Sequence, residues 1–319
     1  TTDTTVLKNL GCVSSLENSG NSGALQDPSY EVGNETKKPI GHVDLFVDAE
    51  KKIRDQLTNK CKDLCLLSIV GMPGIGKTTL GNSIYENRFV RLCFHARARC
   101  HVGHACQKRR LLLDILQQVC GETDQVCGRN DDDLAEKLYQ SLKGKKYFIF
   151  LDDLWDLRQW NDMRASFPND KKGSRIMFTS RFQNIALETG MNSVTYPLTP
   201  VSDSRTWELL QIKLFGKESC PPELVKVGQK IAAECKGLTL AADLIAGLLR
   251  TMASKNECWA QVANSLNTHL LEDQDGRCMH ILELSYNQLP DHLKPSFLYF
   301  GAFPGNREVP TSKLMWLWI

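Results

Sequence analysis

The sequence has no apolar run approaching the roughly 18 residues that a membrane-spanning helix needs, and its N-terminus carries no signal-peptide pattern. A cytoplasmic location with no membrane contact by this region is the expectation. An excess of either charge is also missing. The 39 Lys and Arg stand against 37 Asp and Glu, a formal net charge of +2, so no global field favours nucleic acid or an anionic membrane. The short basic runs Lys108-Arg109-Arg110 and Lys171-Lys172 read as solvated faces. Cys93, His95, Cys100, His101, His104 and Cys106 crowd together but contain no C-x-x-C pair. Neighbours on a strand alternate faces, so a zinc site is not expected there. The 12 cysteines are scattered through expected helices and strands of a long chain, which reads as free thiols and not as a disulfide framework. An initial Met is absent too, and the chain reads as a fragment.

What the sequence does hold is organised around Leu66 to Leu80, LLSIVGMPGIGKTTL. Apolar residues from Leu66 to Val70 give a buried strand that runs into Gly71-Met72-Pro73-Gly74-Ile75-Gly76-Lys77-Thr78, a full match to G-x-x-x-x-G-K-[ST]. Gly74 and Gly76 can take φ > 0, so successive N–H groups can turn inward as a phosphate nest at the start of a helix. Lys77 supplies a mobile point charge for β- and γ-phosphates, and the Thr78 hydroxyl is the expected protein ligand of Mg²⁺.

At 319 residues and 42% hydrophobic content, the chain has material for about two or three domains. Residues 1–38 are rich in Ser, Asn, Gly and Thr and read as a flexible linker. Structure is expected from Ile40-Gly41, with Val43, Phe46, Val47, Ile53 and Leu57 at helical spacing before the first strand. The pattern then predicts a helix over 78–87, a strand over 92–102 and helices over 108–119 and 132–142. Strands follow at 147–151, 175–179 and 194–196. Such alternation means a parallel α/β sheet whose ligands bind at the carboxyl ends of its strands.

Beyond Pro200 the period is helical. Ser202 caps a helix carrying Trp207, Leu210 and Leu214, and Pro221-Pro222 open a second with Leu224, Val227, Ile231 and Cys235 on one face. A third, Thr239 to Thr251, is apolar almost all round and should be central to a bundle. The domain boundaries expected are 39–198 for a nucleotide-binding domain, 199–272 for a helical domain and 273–319 for a further unit. Left exposed at a natural terminus, the apolar pattern Trp316-Leu317-Trp318-Ile319 would be a liability, so this last unit is expected to be truncated.

A second constellation is Tyr147-Phe148-Ile149-Phe150-Leu151-Asp152-Asp153. A buried strand delivers two carboxylates to the edge where the phosphate loop opens. Asp152 would hold Mg²⁺, and Asp153 could orient or deprotonate an attacking water. Arg181, after the strand Arg175 to Thr179, could reach a γ-phosphate and report its presence. Taken alone, these elements also suit an ordinary P-loop ATPase or small-molecule kinase with a helical lid, or a ring ATPase with an arginine finger in trans.

In order, these elements resemble the NB-ARC module of plant NLR immune receptors, together with Gly237-Leu238-Thr239-Leu240-Ala241, Leu284-Ser285-Tyr286-Asn287-Gln288-Leu289-Pro290 and Phe297 to Pro304. The resemblance covers residues 40–319, and Trp155, closing Leu151-Asp152-Asp153-Leu154-Trp155, is similar to the coiled-coil class. It implies a STAND-type P-loop NTPase sheet, a helical ARC1 domain and a winged-helix ARC2 domain. It also implies a switch, ADP-bound at rest and activated by exchange to ATP and oligomerisation, with at most slow ATPase activity. Coiled-coil and leucine-rich-repeat domains of the same receptor would be its partners. The nucleotide contacts implied are Ile40, Gly41, Gly71, Met72, Gly74, Ile75, Gly76, Lys77, Thr78, Thr79, Arg181, Leu238, Thr239 and Leu240. Three features depart from the family pattern: Thr239 stands where the family has proline, Arg97-Ala98-Arg99 replaces Arg-Ala-Trp, and the Met-His-Asp segment is absent.

Overall fold

The computed structural model describes residues 45–103, 107–121, 130–182, 192–251 and 256–267, and parts of 279–317. The chain divides into two compact units, one containing Phe46–Pro200 with Pro295–Ile319 and the other built on Val201–Lys294.

The first unit is a five-stranded sheet. Helix α1 (Val47–Leu57) leads into β1 (Cys65–Val70), followed by α2 (Lys77–Glu86), α3 (Arg88–Cys93), β2 (Ala96–His101), α4 (Lys108–Cys120) and α5 (Asp131–Leu142). Then come β3 (Tyr147–Leu154), α6 (Leu157–Arg164), β4 (Arg175–Ser180) and β5 (Ser193–Pro197). The spatial order is β2-β3-β4-β1-β5, and every pairing is parallel. Parallel strands are covered on both faces, which is why β1 and β4 are buried at every position and β3 at every position but Asp153. One face packs Ala98, Ile149, Leu151, Ile176 and Phe178 against Leu112, Ile115, Leu134 and Leu138 of α4 and α5. On the other, Tyr85 of α2 meets Phe148 and Phe150, and a Cβ added to Gly81 would lie 2.3 Å from the Phe150 ring. Glycine at that turn lets α2 sit close on the sheet and fixes where its first turn, with Lys77 and Thr78, meets the strand ends.

The structure corrects the sequence reading in three places. Residues 92–102 are not one strand. Asn87 caps α3 by accepting the Phe89 N–H, so Leu92 and Cys93 close a short helix and the strand starts at Ala96. Cys93 and Cys100 thus stand on different elements. Helix α6 was not anticipated: its apolar residues are sparse, but Asp156 and Gln159 form a capping box at its start. Val47, expected in the apolar face of α1, is 54% exposed, and that face is made by Ala49, Ile53 and Leu57. The linker 1–38 lies outside the described residues.

The second unit is helical. Helix α7 (Asp203–Phe215) is capped by Ser202, α8 (Pro222–Glu234) starts on a proline, and α9 (Thr239–Thr251) and α10 (Asn256–Asn267) complete the described bundle. Leu210, Leu224, Ile231, Ala242 and Ile245 are buried, as is Trp259, whose ring stacks on Phe215. Towards the C-terminus, short helices α11 (Lys294–Tyr299) and α12 (Thr311–Leu317) flank a 3-10 turn at Phe300–Ala302. No helix among the described residues is long and apolar enough to cross a membrane.

Candidate functional site

The site begins where β1 ends. Gly74 and Gly76 have φ of 72° and 106°, a region open to glycine at little cost, and they turn the loop into the first turn of α2. Ile75 between them is fully buried and anchors the loop from beneath, while the Gly71 N–H donates to Ser180 O. An added Cβ at Gly71 would come within 3.1 Å of Leu198 O, so the strand end is tightly confined. Lys77 is only 8% exposed, and its Nζ donates to Gly71 O and Met72 O at 2.8 Å each. Burial pulls its pKa down to about 8; Arg181 pushes the same way, and Asp153 and Asp152 oppose it. A buried ammonium held by neutral carbonyls is a group that a phosphate oxygen would stabilise.

The carboxylates arrive by a break in β3. Leu151 pairs with Phe178 and Leu154 with Ser180, so three steps on β3 match two on β4. The extra residue is a bulge holding Asp152 and Asp153, and Asp153 takes φ 60°. A regular strand would send adjacent side chains to opposite faces, and the bulge relaxes that rule here. Asp152 is 8% exposed and heavily bonded. The Thr78 hydroxyl reaches its Oδ1 at 2.9 Å and Oδ2 at 3.1 Å, the Thr179 hydroxyl donates to Oδ1 at 2.6 Å, and His101 Nδ1 lies 3.5 Å from Oδ2. Burial alone would raise its pKa, but the bonds from His101, Thr179 and Thr78, with the charge of His101, outweigh burial and hold it below the ordinary value.

Asp153 is held differently. Its backbone N–H donates to the Thr179 hydroxyl at 2.8 Å, and its Oδ2 accepts the Trp155 indole N–H at 2.9 Å. The Arg181 guanidinium lies over the Trp155 ring, 4.6 Å from the centroid, and Phe182 meets the same ring edge-on at 6.2 Å. The Trp155 backbone is fixed in turn by Gln159, whose Oε1 accepts its N–H at 3.0 Å while Nε2 donates to Gly103 O at 3.0 Å.

The fold therefore brings Gly71, Met72, Gly74, Ile75, Gly76, Lys77, Thr78, Asp152, Asp153 and Arg181 to one edge of one sheet. Thr79 sits exposed in the first turn of α2. Leu238, Thr239 and Leu240 belong to the other unit: Leu238 is buried, Thr239 opens α9 and Leu240 is 40% exposed. Ile40 and Gly41 lie outside the described residues. Sequence reasoning missed His101 as a partner of Asp152, and it missed the bonding roles of Thr179, Trp155 and Gln159. For His101 a signal existed, since Arg97, Arg99 and His101 share one face of β2 by period two. Arg97 and Arg99 lie over the Tyr85 ring at 4.1 and 5.8 Å, and Arg99 donates to Asn82.

Thr78 Oγ1 and the Asp152 carboxylate are hard oxygen donors already in contact on the edge that receives Lys77. That chemistry suits Mg²⁺, which prefers few protein oxygens beside phosphate.

Comparison with known proteins gives the family. The NB-ARC domain family matches residues 47–220. Late blight resistance protein R1-A of Solanum demissum is 39% identical over 274 residues, covering 86% of this chain and 21% of that protein. A late blight resistance protein homolog from the same species is 40% identical over 274 residues, covering 86% of this chain and 22% of its own. The chain thus spans about a fifth of the length of these relatives. Among solved structures, a chain of the Drosophila ORC bound to DNA superposes with a TM-score of 0.50 at 14% identity, covering 99% of this chain and 84% of its own, a likeness of fold alone.

Proposed function

The chain belongs to the NB-ARC family, and on that premise we propose that it is the ADP/ATP-binding switch module of a plant intracellular immune receptor, ADP-bound at rest and turned on by exchange to ATP and self-association. The carrying observation is the direct contact of Thr78 Oγ1 with the Asp152 carboxylate, 2.9 Å apart, beside Lys77. In this reading the N–H groups from Gly74 to Thr78 cradle the phosphates, and Lys77 exchanges its two loop carbonyls for β- and γ-phosphate oxygens. Thr78 and Asp152 would hold Mg²⁺, which supplies positive charge to the phosphate oxygens when bound. Asp153 orients the water and Arg181 senses the γ-phosphate. Domain boundaries of 39–198, 199–272 and 273–319 belong to the same proposal, as do coiled-coil and leucine-rich-repeat partners elsewhere in the receptor.

A switch holds its product, whereas a turnover enzyme releases it. Purified protein should therefore yield ADP close to one per chain when denatured and analysed by ion-pair chromatography. An empty site joined to fast steady-state turnover would overturn the proposal in favour of an ordinary P-loop ATPase.

A further inference from the structure

Resting on that reading, we propose that Trp155 is a positioning residue for hydrolysis, holding the Asp153 carboxylate through its indole N–H and linking it to Arg181 through its ring face. The indole nitrogen is a donor only, so it claims one carboxylate oxygen without competing for a proton. It takes Oδ2 at 2.9 Å, and among the described residues Oδ1 is left for water. Asp153 needs such a hold, because it sits at φ 60° in a bulge where no regular ladder sets its direction. Its main chain is tied by Thr179 and its side chain by Trp155.

Trp155 is itself pinned. Gln159, fixed by the cap of α6, holds its backbone N–H at 3.0 Å and ties the same turn to Gly103 beyond β2. One face of the ring carries the Arg181 guanidinium at 4.6 Å. A cation over an indole draws on its electron density and makes the N–H a stronger donor. The position of Arg181 and the grip on Asp153 thus act through one ring, and an arginine that moves toward a γ-phosphate changes that grip. In the step served, the water oxygen bonds to the γ-phosphorus and the bond from that phosphorus to the β–γ bridging oxygen breaks. ADP leaves with the electron pair, and the water proton passes to Asp153 Oδ1.

The test uses the whole chain loaded with ATP and Mg²⁺, comparing the parent with Trp155→Phe, Asp153→Asn and the double variant. Phenylalanine keeps a ring for Arg181 and Phe182 but removes the N–H. Single-turnover hydrolysis by Trp155→Phe should slow about tenfold, a fraction of a general base's usual contribution, with ATP affinity within about twofold of the parent. The double variant should be no slower than Asp153→Asn. Hydrolysis by Trp155→Phe at the parent rate, with Asp153→Asn slow, overturns the role of Trp155 alone. A further loss in the double variant, or equal losses in rate and affinity, marks Trp155 as merely structural and also overturns it. If Asp153→Asn matches the parent, or the parent does not hydrolyse ATP, the underlying assignment of Asp153 falls first.

Discussion

The Thr179 hydroxyl donates to Asp152 Oδ1 at 2.6 Å and accepts the Asp153 N–H at 2.8 Å. One β4 side chain therefore ties the carboxylate of Asp152 and the main chain of Asp153. Thr179→Val keeps the shape and removes both bonds. With Asp152 buried and the Asp153 N–H half-buried, a loss of about 1–3 kcal/mol in urea unfolding is expected, the usual cost of leaving such polar groups unmet. The acid limb should move as well. Asp152 has a depressed pKa in the fold, so its stabilisation is present above its unfolded pKa and is lost as pH falls through the folded one. Without Thr179 that loss should set in at higher pH, and a variant whose acid unfolding midpoint matches the parent would contradict this account.

Lys77→Arg should abolish nucleotide binding and leave the melting temperature of the nucleotide-free protein within a few degrees of the parent's. A planar guanidinium cannot place its charge where a compact ammonium reaches Gly71 O and Met72 O at 2.8 Å. Titration calorimetry showing ADP bound as tightly by the variant would remove Lys77 from the phosphate cradle.

The lowered pKa of Lys77 also predicts how pH acts. In the nucleotide-free protein its folded pKa is about 8 against 10.5 for the free side chain, so the unfolded chain binds more protons between those values and stability rises with pH across that window. Below pH 8 the cost of a buried charge is fully present. Bound phosphate stabilises that charge, so ADP affinity should fall as pH rises above 8, by up to about tenfold per unit, with proton uptake on binding. Calorimetry at pH 7 and pH 9.5 in buffers of different ionisation enthalpy measures both effects. Equal affinities with no proton uptake would mean that Lys77 does not meet phosphate.

Gly81→Ala tests the seating of α2. The new methyl would lie 2.3 Å from the Phe150 ring tip in a closed core, so overpacking should cost about 1–3 kcal/mol. Because α2 carries Lys77 and Thr78, ADP affinity should weaken too. Thermal unfolding with and without ADP separates the two effects, and an unchanged midpoint would show that the helix moves away freely.

The phosphate loop, the apolar strand ending in Asp152-Asp153 and the parallel α/β character were legible because each is local: glycines that permit φ > 0, a run that must be buried on both faces, and strands alternating with helices. Leu92 and Cys93 were misassigned because a short apolar run has no decisive period, and only the Asn87 cap makes it helical. Helix α6 was illegible for the opposite reason: its apolar signal is thin, and Trp160 and Met163 became core residues only once packed on the sheet.

The chain by itself determined which groups exist for the chemistry: an ammonium and a hydroxyl in the helix after the phosphate loop, two adjacent carboxylates in β3 and an arginine just after β4. Tertiary structure decided how they are aimed. The bulge between Leu151 and Leu154 arises from the mismatch of β3 with β4, the bonds of Asp152 come from β2, β4 and α2, and Trp155 carries Arg181 over its ring while its indole N–H holds Asp153. Register and long-range contact are properties of the assembled sheet, set by packing among segments far apart in sequence, so no local pattern of residues records them.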